Sequence, residues 1–408
     1  MLVSRMMRPT VLRAMRPART LTSISASRMH VPAVRVPLRA TAAYSTQTPE
    51  VSFDPHAVTA MDKQKPPAPG EDFRVVILGA GNINFGSDEG PWNHSFRLEH
   101  KLGPRLKVVA LIDPNGARAR QVLKTKCESF VLSAYKDTMV YPTLEDYIRT
   151  VTPENRPHVV WVGSPPAFRG RVVKGCDVEM QLMHELPGVP LFIEKPVSTG
   201  PVDEAFEVAE ALRKSNDIVS VGYMLRYLKV VQKMKQIIVD NKLKVMGINA
   251  RYIMAYEHTA KLDWWDKSKN PGPIVEQATH FCDLARYFGG DVDLSTVMAH
   301  SLEYFEPAGQ LSKIPVPEDQ IKPENRIPRV TCATWKFESG AVGSLTHAVA
   351  LQGMCRSTWL TAGTDYSTEL DVYADGYQMR LVDPYNSPVL YLRRPGDDHE
   401  GTFRLTIH

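Results

Sequence analysis

From Phe73 onward the chain runs through short, wholly apolar stretches separated by amphipathic ones. "RVVILGAGNIN", "LKVVALIDPN", "HVVWVGSPP", "LFIEKPVS" and "IVSVGYMLRY" read as buried strands. A strand covered on both faces shows a continuous apolar run rather than an alternating one. Between them, "GARARQVLKTK", "TLEDYIRTV" and "VDEAFEVAEALRKS" read as helices. That alternation predicts a parallel sheet wrapped by helices. Beyond Arg226 the rhythm changes. "KVVQKMKQIIVDN" is helical, whereas "KVMGINARYIMAY", "LSTVMAHSLEYF", "RVTCATWKF", "AVGSLTHAVAL", "STWLTAG" and "YQMRLVD" are strand-like, several of them alternating. Strands gathered after helices predict an antiparallel sheet on one helical layer. The chain is therefore expected to be α/β, with an N-terminal doubly wound parallel sheet (73–225). A C-terminal α+β domain with a mostly antiparallel sheet (226–408) follows, its last part truncated. Within that sheet, "EPAGQLSKIPVPEDQIKPENRIP" (306–328) reads as a long polar loop of the functional or disordered kind.

Composition changes this picture only at the N-terminus. Residues 1–50 hold eight Arg, no Lys and one acid, Glu50, which is the make-up of a mitochondrial transit peptide. The remainder carries 41 basic against 44 acidic residues, so the net charge of +4 belongs to the leader and gives no argument for nucleic acid. The expected location is the mitochondrial matrix, or the cytoplasm if the extension is not a working presequence. "DKQKPPAPGED" makes 51–72 a linker. No apolar run approaches the ~20 residues of a membrane span. Five scattered cysteines without C-x-x-C suggest neither a disulfide framework nor a zinc site.

The first strand runs into Gly79-Ala80-Gly81. Gly79 permits a tight turn, and Gly81 lets backbone approach a pyrophosphate, with Asn82 and Ile83 completing the candidate cradle. Asn84 stands where the third glycine of G-x-G-x-x-G belongs, and "FGSDEGPW" inserts about seven residues before the next helix. Asp113 ends the second strand. A carboxylate there accepts from adenosine ribose hydroxyls and repels a 2′-phosphate, which favours NAD while leaving NADP possible; a helix N-cap is the alternative role. Ser164, Pro165 and Lys195 lie at later strand ends, where ligands of such sheets bind. Lys195 is followed by Pro196, which biases it away from helix. Beside a nicotinamide ring and partly desolvated, it suits proton transfer.

"VEQATHFCDLARYFGG" (275–290) raises a separate question. Read as a helix, it is apolar except for Glu276, His280 and Asp283, which steps of four and three place on one face. His280 is a candidate acid/base, because an imidazole ordinarily titrates near neutrality. Glu276, one turn away, is expected to orient it in the manner of an Asp–His pair. A solvated face is one alternative, and a metal site with His258 or Asp263 as third ligand another. Asp283 is assigned to bracing, through Arg226 or Arg286. Trp264 and Trp265 offer walls for a sugar-like ring or, equally, core packing. Tyr256 and His258 are candidates of lower rank.

The order of these motifs resembles the glucose–fructose oxidoreductase / inositol dehydrogenase / MocA family of NAD(P)-dependent oxidoreductases. It rests on the glycine turn with Asp113, "SPP", "EKP", "VGYMLRY", "EQATHFCDLARYFGG" and "FESGAVGSL", and covers Phe73 to about Asp375. The resemblance implies a Rossmann-type first domain and hydride transfer between a nicotinamide cofactor and a hydroxyl or carbonyl of a polyol, sugar or cyclitol-like substrate. It implies that Lys195 contacts the reacting oxygen and that Glu194 lies beside the nicotinamide ribose. It also implies that His280 is the acid/base, that Glu276 occupies an Asp site, and that Arg226 and Tyr227 form a polar pair near substrate. A homo-oligomer through the C-terminal sheet is implied too. A non-catalytic NAD(P)-binding sensor and an NAD-dependent glycosidase share this fold and are the alternatives. Arg169 departs from the family's usual His, and "CDVEMQLMHELPGVP" is longer than the usual link.

Overall fold

The computed structural model describes residues 67–87, 92–215, 217–255, 262–269, 271–311, 317–351, 366–399 and 401–404. The expected leader, Tyr256, His258 and the "STWLTAG" segment lie outside them. In chain order the first region comprises β1 (Phe73–Leu78), α1 (Asn82–Phe85), α2 (His94–Leu102), β2 (Leu106–Ile112), α3 (Gly116–Cys127), α4 (Leu132–Tyr135) and β3 (Met139–Tyr141). It continues through α5 (Leu144–Ile148), β4 (Val159–Val162), α6 (Val178–Glu185), β5 (Leu191–Ile193), α7 (Val202–Ser215) and β6 (Val219–Val221). The strands pair in parallel, in the order β3-β2-β1-β4-β5-β6. This is the doubly wound order in which ligands sit beyond the carboxyl ends at the β1/β4 switch point.

The pleat explains the apolar runs. Val75 and Ile77 of β1 face one core with Leu98, Val122 and Leu123 from α2 and α3. Val76 and Leu78 face the opposite core, with Leu144 of α5 and Leu182 of α6. Both faces are covered from Val75 onward, so these positions are apolar throughout; Arg74, at the strand's start, is only half-buried.

The second region comprises α8 (Lys229–Asp240), β7 (Val245–Ala255), α9 (Thr279–Gly289), β8 (Val292–Leu302), β9 (Val330–Phe337), β10 (Val342–Leu351), β11 (Tyr366–Ala374), β12 (Tyr377–Val382), β13 (Val389–Arg393) and β14 (Gly401–Arg404). Its eight strands are ordered β14-β13-β12-β11-β7-β10-β9-β8 and are antiparallel except for the β7–β10 pair. One face alternates into a single core. Ile248, Ala250, Tyr252 and Met254 of β7 meet Phe281, Leu284 and Phe288 of α9 and Met234 of α8. On the other face Asn249 and Arg251 are exposed.

Among its described residues the long 306–328 loop holds three 3₁₀ turns, Pro307–Gly309, Glu318–Gln320 and Pro323–Asn325. Ile321 and Ile327 enter the core. Arg329 secures the loop, donating to both oxygens of Glu318 at 2.8 and 2.6 Å and to the Gly309 carbonyl at 3.1 Å.

Candidate active site

At the mouth of β1, Gly79 has φ +94°, and a Cβ there would lie 3.0 Å from the Gly163 carbonyl oxygen. Only glycine meets both conditions cheaply. Gly81 faces open space, leaving backbone accessible to a ligand. Asn84 turns the missing third glycine into a side-chain device. Fully buried, its amide donates to the Leu78 and Gly79 carbonyls at 3.0 and 2.7 Å and packs where any side chain at Gly163 would fall. The insertion leaves Asn82 and Ile83 in a single short helical turn, α1, with the longer α2 starting only at His94.

Asp113 accepts from the backbone N–H of Ala80 at 2.6 Å and of Asn115 at 2.7 Å. The cap of α3 is Asn115, whose side chain accepts from Arg118 N–H at 3.0 Å, so the N-cap alternative for Asp113 is overturned. Asp113 instead braces the glycine turn, with lone pairs to spare. Arg118, absent from the candidates read in the sequence, donates to the Ala80 carbonyl at 3.3 Å beside it.

At the neighbouring strand ends, the Ser164 hydroxyl is buried without a partner, and Pro165 leads into the 3₁₀ turn Pro166–Phe168. Glu194 is buried. One oxygen lies 2.6 Å from His94 Nε2, and the other accepts from Lys195 N–H at 2.8 Å. His94 arrives on α2 and lies 5.1 Å, ring to ring, from both Trp161 and Phe192. Sequence reasoning missed it, since nothing marks a helical histidine as the partner of an acid 100 residues on.

Lys195 reaches the second region. Its Nζ donates to the Glu276 side chain and to the Glu276 carbonyl, both at 2.9 Å. The opening of the 275–290 segment is not α-helical but a π turn, Ile274–Ala278, with α9 beginning at Thr279. A π turn closes over one extra residue and is frequent at functional sites. It shifts Glu276 from the register an α-helix would impose. Its carboxylate pairs with Lys195 rather than orienting His280, which corrects the expected Glu–His pair.

His280 is buried, its Nδ1 has no partner, and its ring lies 6.0 Å from Tyr223 and 6.1 Å from Tyr385. Burial, with the Lys195 charge adding to it, pushes the imidazole down to about 3. It is therefore neutral at physiological pH, unlike the near-neutral titration expected. Tyr223 lies within the "VGYMLRY" motif and bonds the Thr279 hydroxyl at 3.0 Å; Tyr385 carried no sequence signal.

Asp283 is claimed by Arg226 through two bonds of 2.7 and 2.6 Å, with the Tyr287 ring 5.1 Å from the guanidinium. Arg226 thus braces α9 through Asp283. Arg286 pairs with Asp291. Trp265 is wholly buried in the second core, with Arg329 over its ring at 5.5 Å, so it offers no wall to a ligand. Trp264 is partly buried against the same core. Asp263 pairs with Lys269 at 2.8 Å rather than turning to Glu276 and His280.

The site thus joins a dinucleotide cradle, a lysine at a strand mouth and a buried neutral histidine. Residues 73–223 match the family model "Oxidoreductase family, NAD-binding Rossmann fold", and 226–377 match an oxidoreductase C-terminal domain. The protein C12C2.04 of Schizosaccharomyces pombe is 47% identical over 333 residues, covering 81% of this chain and 84% of its own. Among solved structures, a levoglucosan dehydrogenase with NADH and L-sorbose superposes with TM-score 0.57 at 14% identity, covering 82% of this chain and 80% of that one. The WlbA dehydrogenase of Chromobacterium violaceum, with NADH and UDP-GlcNAcA, gives 0.55 at 16% identity, with 79% and 77% covered. The chain belongs to the glucose–fructose oxidoreductase / inositol dehydrogenase / MocA family and is an NAD-binding oxidoreductase.

Proposed function

We propose that this chain is an NAD-dependent dehydrogenase of secondary alcohols on polyol, sugar or cyclitol-like rings. One observation carries the reading: Lys195, at the mouth of a cofactor-domain strand, meets Glu276 four residues before His280, whose buried Nδ1 has no partner among the described residues. The accessible backbone at Gly81, the Asp113 carboxylate and the unpartnered Ser164 hydroxyl fit NAD, which when bound supplies the hydride acceptor. Gly79–Ile83 would hold its pyrophosphate, Asp113 its adenosine ribose, and Ser164, Glu194 and Lys195 its nicotinamide end.

An alcohol releases hydride readily only as its hydroxyl proton leaves. His280, neutral and with Nδ1 free of a partner among the described residues, offers a lone pair to that proton. The Lys195 ammonium, fixed by Glu276, donates to the same oxygen and stabilises the charge that develops there. The aromatic rings of Tyr223 and Tyr385 exclude water around the imidazole, which strengthens both interactions. The neighbours with bound sugars support a sugar-sized site of this kind.

A homo-oligomer formed through the open face of the eight-stranded sheet, and mitochondrial import directed by residues 1–50, complete the proposal. Light scattering tests the first, and imaging of the full chain with and without those residues tests the second. The reaction itself is tested by titrating the protein with NAD and NADP and screening polyols, cyclitols and sugars for NADH formation. NAD-dependent turnover is expected. Tight NAD binding without turnover on any ring would favour the sensor, and no binding of either cofactor would sink the dehydrogenase.

A further inference from the structure

Arg169 is the one motif departure that the proposed reaction leaves unused. It follows the β4 turn, yet its side chain is wholly buried. Its Nε–H donates to the Ser164 carbonyl at 3.0 Å and an Nη1–H to the Val197 carbonyl at 2.9 Å. It therefore spans the two turns that flank the nicotinamide end, one after β4 and one after β5. Among the described residues no carboxylate lies within ion-pair distance of it, and Nη2 has no partner. Burial pulls the guanidinium below its usual range, and the nearby charges of Glu179, Glu194 and Glu276 only partly offset that.

The next residue tightens the fit. Gly170 has φ +69°, and a Cβ there would lie 2.3 Å from the Val197 carbonyl oxygen and 2.7 Å from Ser198 Cβ. Its N–H donates to buried Glu179 at 2.7 Å. The Arg169–Gly170 backbone is thus pressed onto the chain two residues past Lys195. From the other side the Lys195 turn is held by Glu194, whose N–H donates to the Val162 carbonyl at 2.8 Å. Between these anchors only Lys195 and Pro196 remain, and proline's ring fixes one of their torsions.

We infer that Arg169 is a positioning residue, whose guanidinium clamps the Ser164 turn to the Val197 backbone and so holds the Lys195 amine against Glu276. This rests on the dehydrogenase reading only for its kinetic consequence. A misplacement of about 1 Å at a reacting group costs on the order of 100-fold in rate. Neutral Arg169→Gln loses the two-pronged clamp, whereas Arg169→Lys keeps the charge and can reach one carbonyl.

The test is read first without activity. Full-length wild type, Arg169→Gln and Arg169→Lys are acylated briefly with acetic anhydride, and modification of each lysine is followed by mass spectrometry. Lys195 is expected to react several-fold faster in Arg169→Gln and at an intermediate rate in Arg169→Lys. The paired Lys126 and the half-buried Lys235 should stay unchanged. Unchanged Lys195 labelling in either folded variant overturns the inference. So does a rise at all three lysines alike, which would make the arginine a general brace. If Arg169→Gln fails to fold, the Arg169→Lys comparison decides by itself. With a substrate found, Arg169→Gln should also lower kcat roughly 100-fold and enlarge the primary deuterium isotope effect, with little change in NAD affinity. A wild type without turnover would refute the dehydrogenase and leave the labelling result standing.

Discussion

Two buried arginines in this molecule have been solved in opposite ways. Arg329 is closed: Nε, Nη1 and Nη2 all donate, two of them to one carboxylate, and the guanidinium lies over Trp265. Arg169 is open: two donors are spent on carbonyls at strand mouths, and Nη2 is unspent. A buried charge with every nitrogen matched holds structure together. Arg169 Nη2, like Ser164 Oγ and His280 Nδ1, is left without a partner among the described residues. The closed cluster sits under a loop; the open one sits at the switch point of a doubly wound sheet.

The sharpest test of this contrast removes a member of each cluster. Lys195→Ala should lower kcat/KM about a thousandfold, roughly 4 kcal/mol of transition-state stabilisation, with little change in a urea midpoint. Glu318→Ala should do the reverse. Stranding Arg329 costs about 3–5 kcal/mol of stability, read by urea titration, while turnover per folded molecule holds. A loss below about 1 kcal/mol would put both arginines in one class.

Acid sharpens the comparison further, because burial keeps two histidines neutral, His280 and, in the second region, His347. Burial holds His280 near 3 and His347 near 4, against 6.5 for a free imidazole. The unfolded chain therefore binds more protons as pH falls below 6.5. The stabilising effect of neutrality is complete above that value and is lost on acidification, on the order of 1 kcal/mol per pH unit per group. His347→Gln should flatten the stability profile between pH 6.5 and 4, and a slope unchanged from wild type would contradict its burial as a neutral ring. For the same reason the acid limb of kcat/KM should show no ordinary histidine titration near 6.5. Asn115→Ala, at an exposed cap belonging to neither cluster, should cost only about 1 kcal/mol with unchanged kinetics.

Much of this was legible beforehand. Most strands of both sheets announce themselves by period and composition, though β3, β11, β13 and β14 do not, and Gly79, Asp113, Lys195, Glu276 and His280 stand out as residues. Their partners do not. Glu276 was matched to His280 by α-helical spacing, and the π turn breaks that spacing. Arg226 and Trp265 looked available for substrate, yet one is bound by Asp283 and the other is interior. His94 and Tyr385 escaped notice because their significance lies wholly in what faces them.

The sequence alone determined the layers, through local rules: a run covered on both faces must be apolar throughout, and a turn at φ +94° needs glycine. Tertiary structure decided the pairings: Lys195 with Glu276 across 81 residues, His94 with Glu194 across 100, and Arg169 with Val197 across 28. The reason is physical. Secondary structure follows from neighbours along the chain, whereas a buried polar atom is satisfied by whatever lies within about 3 Å in space.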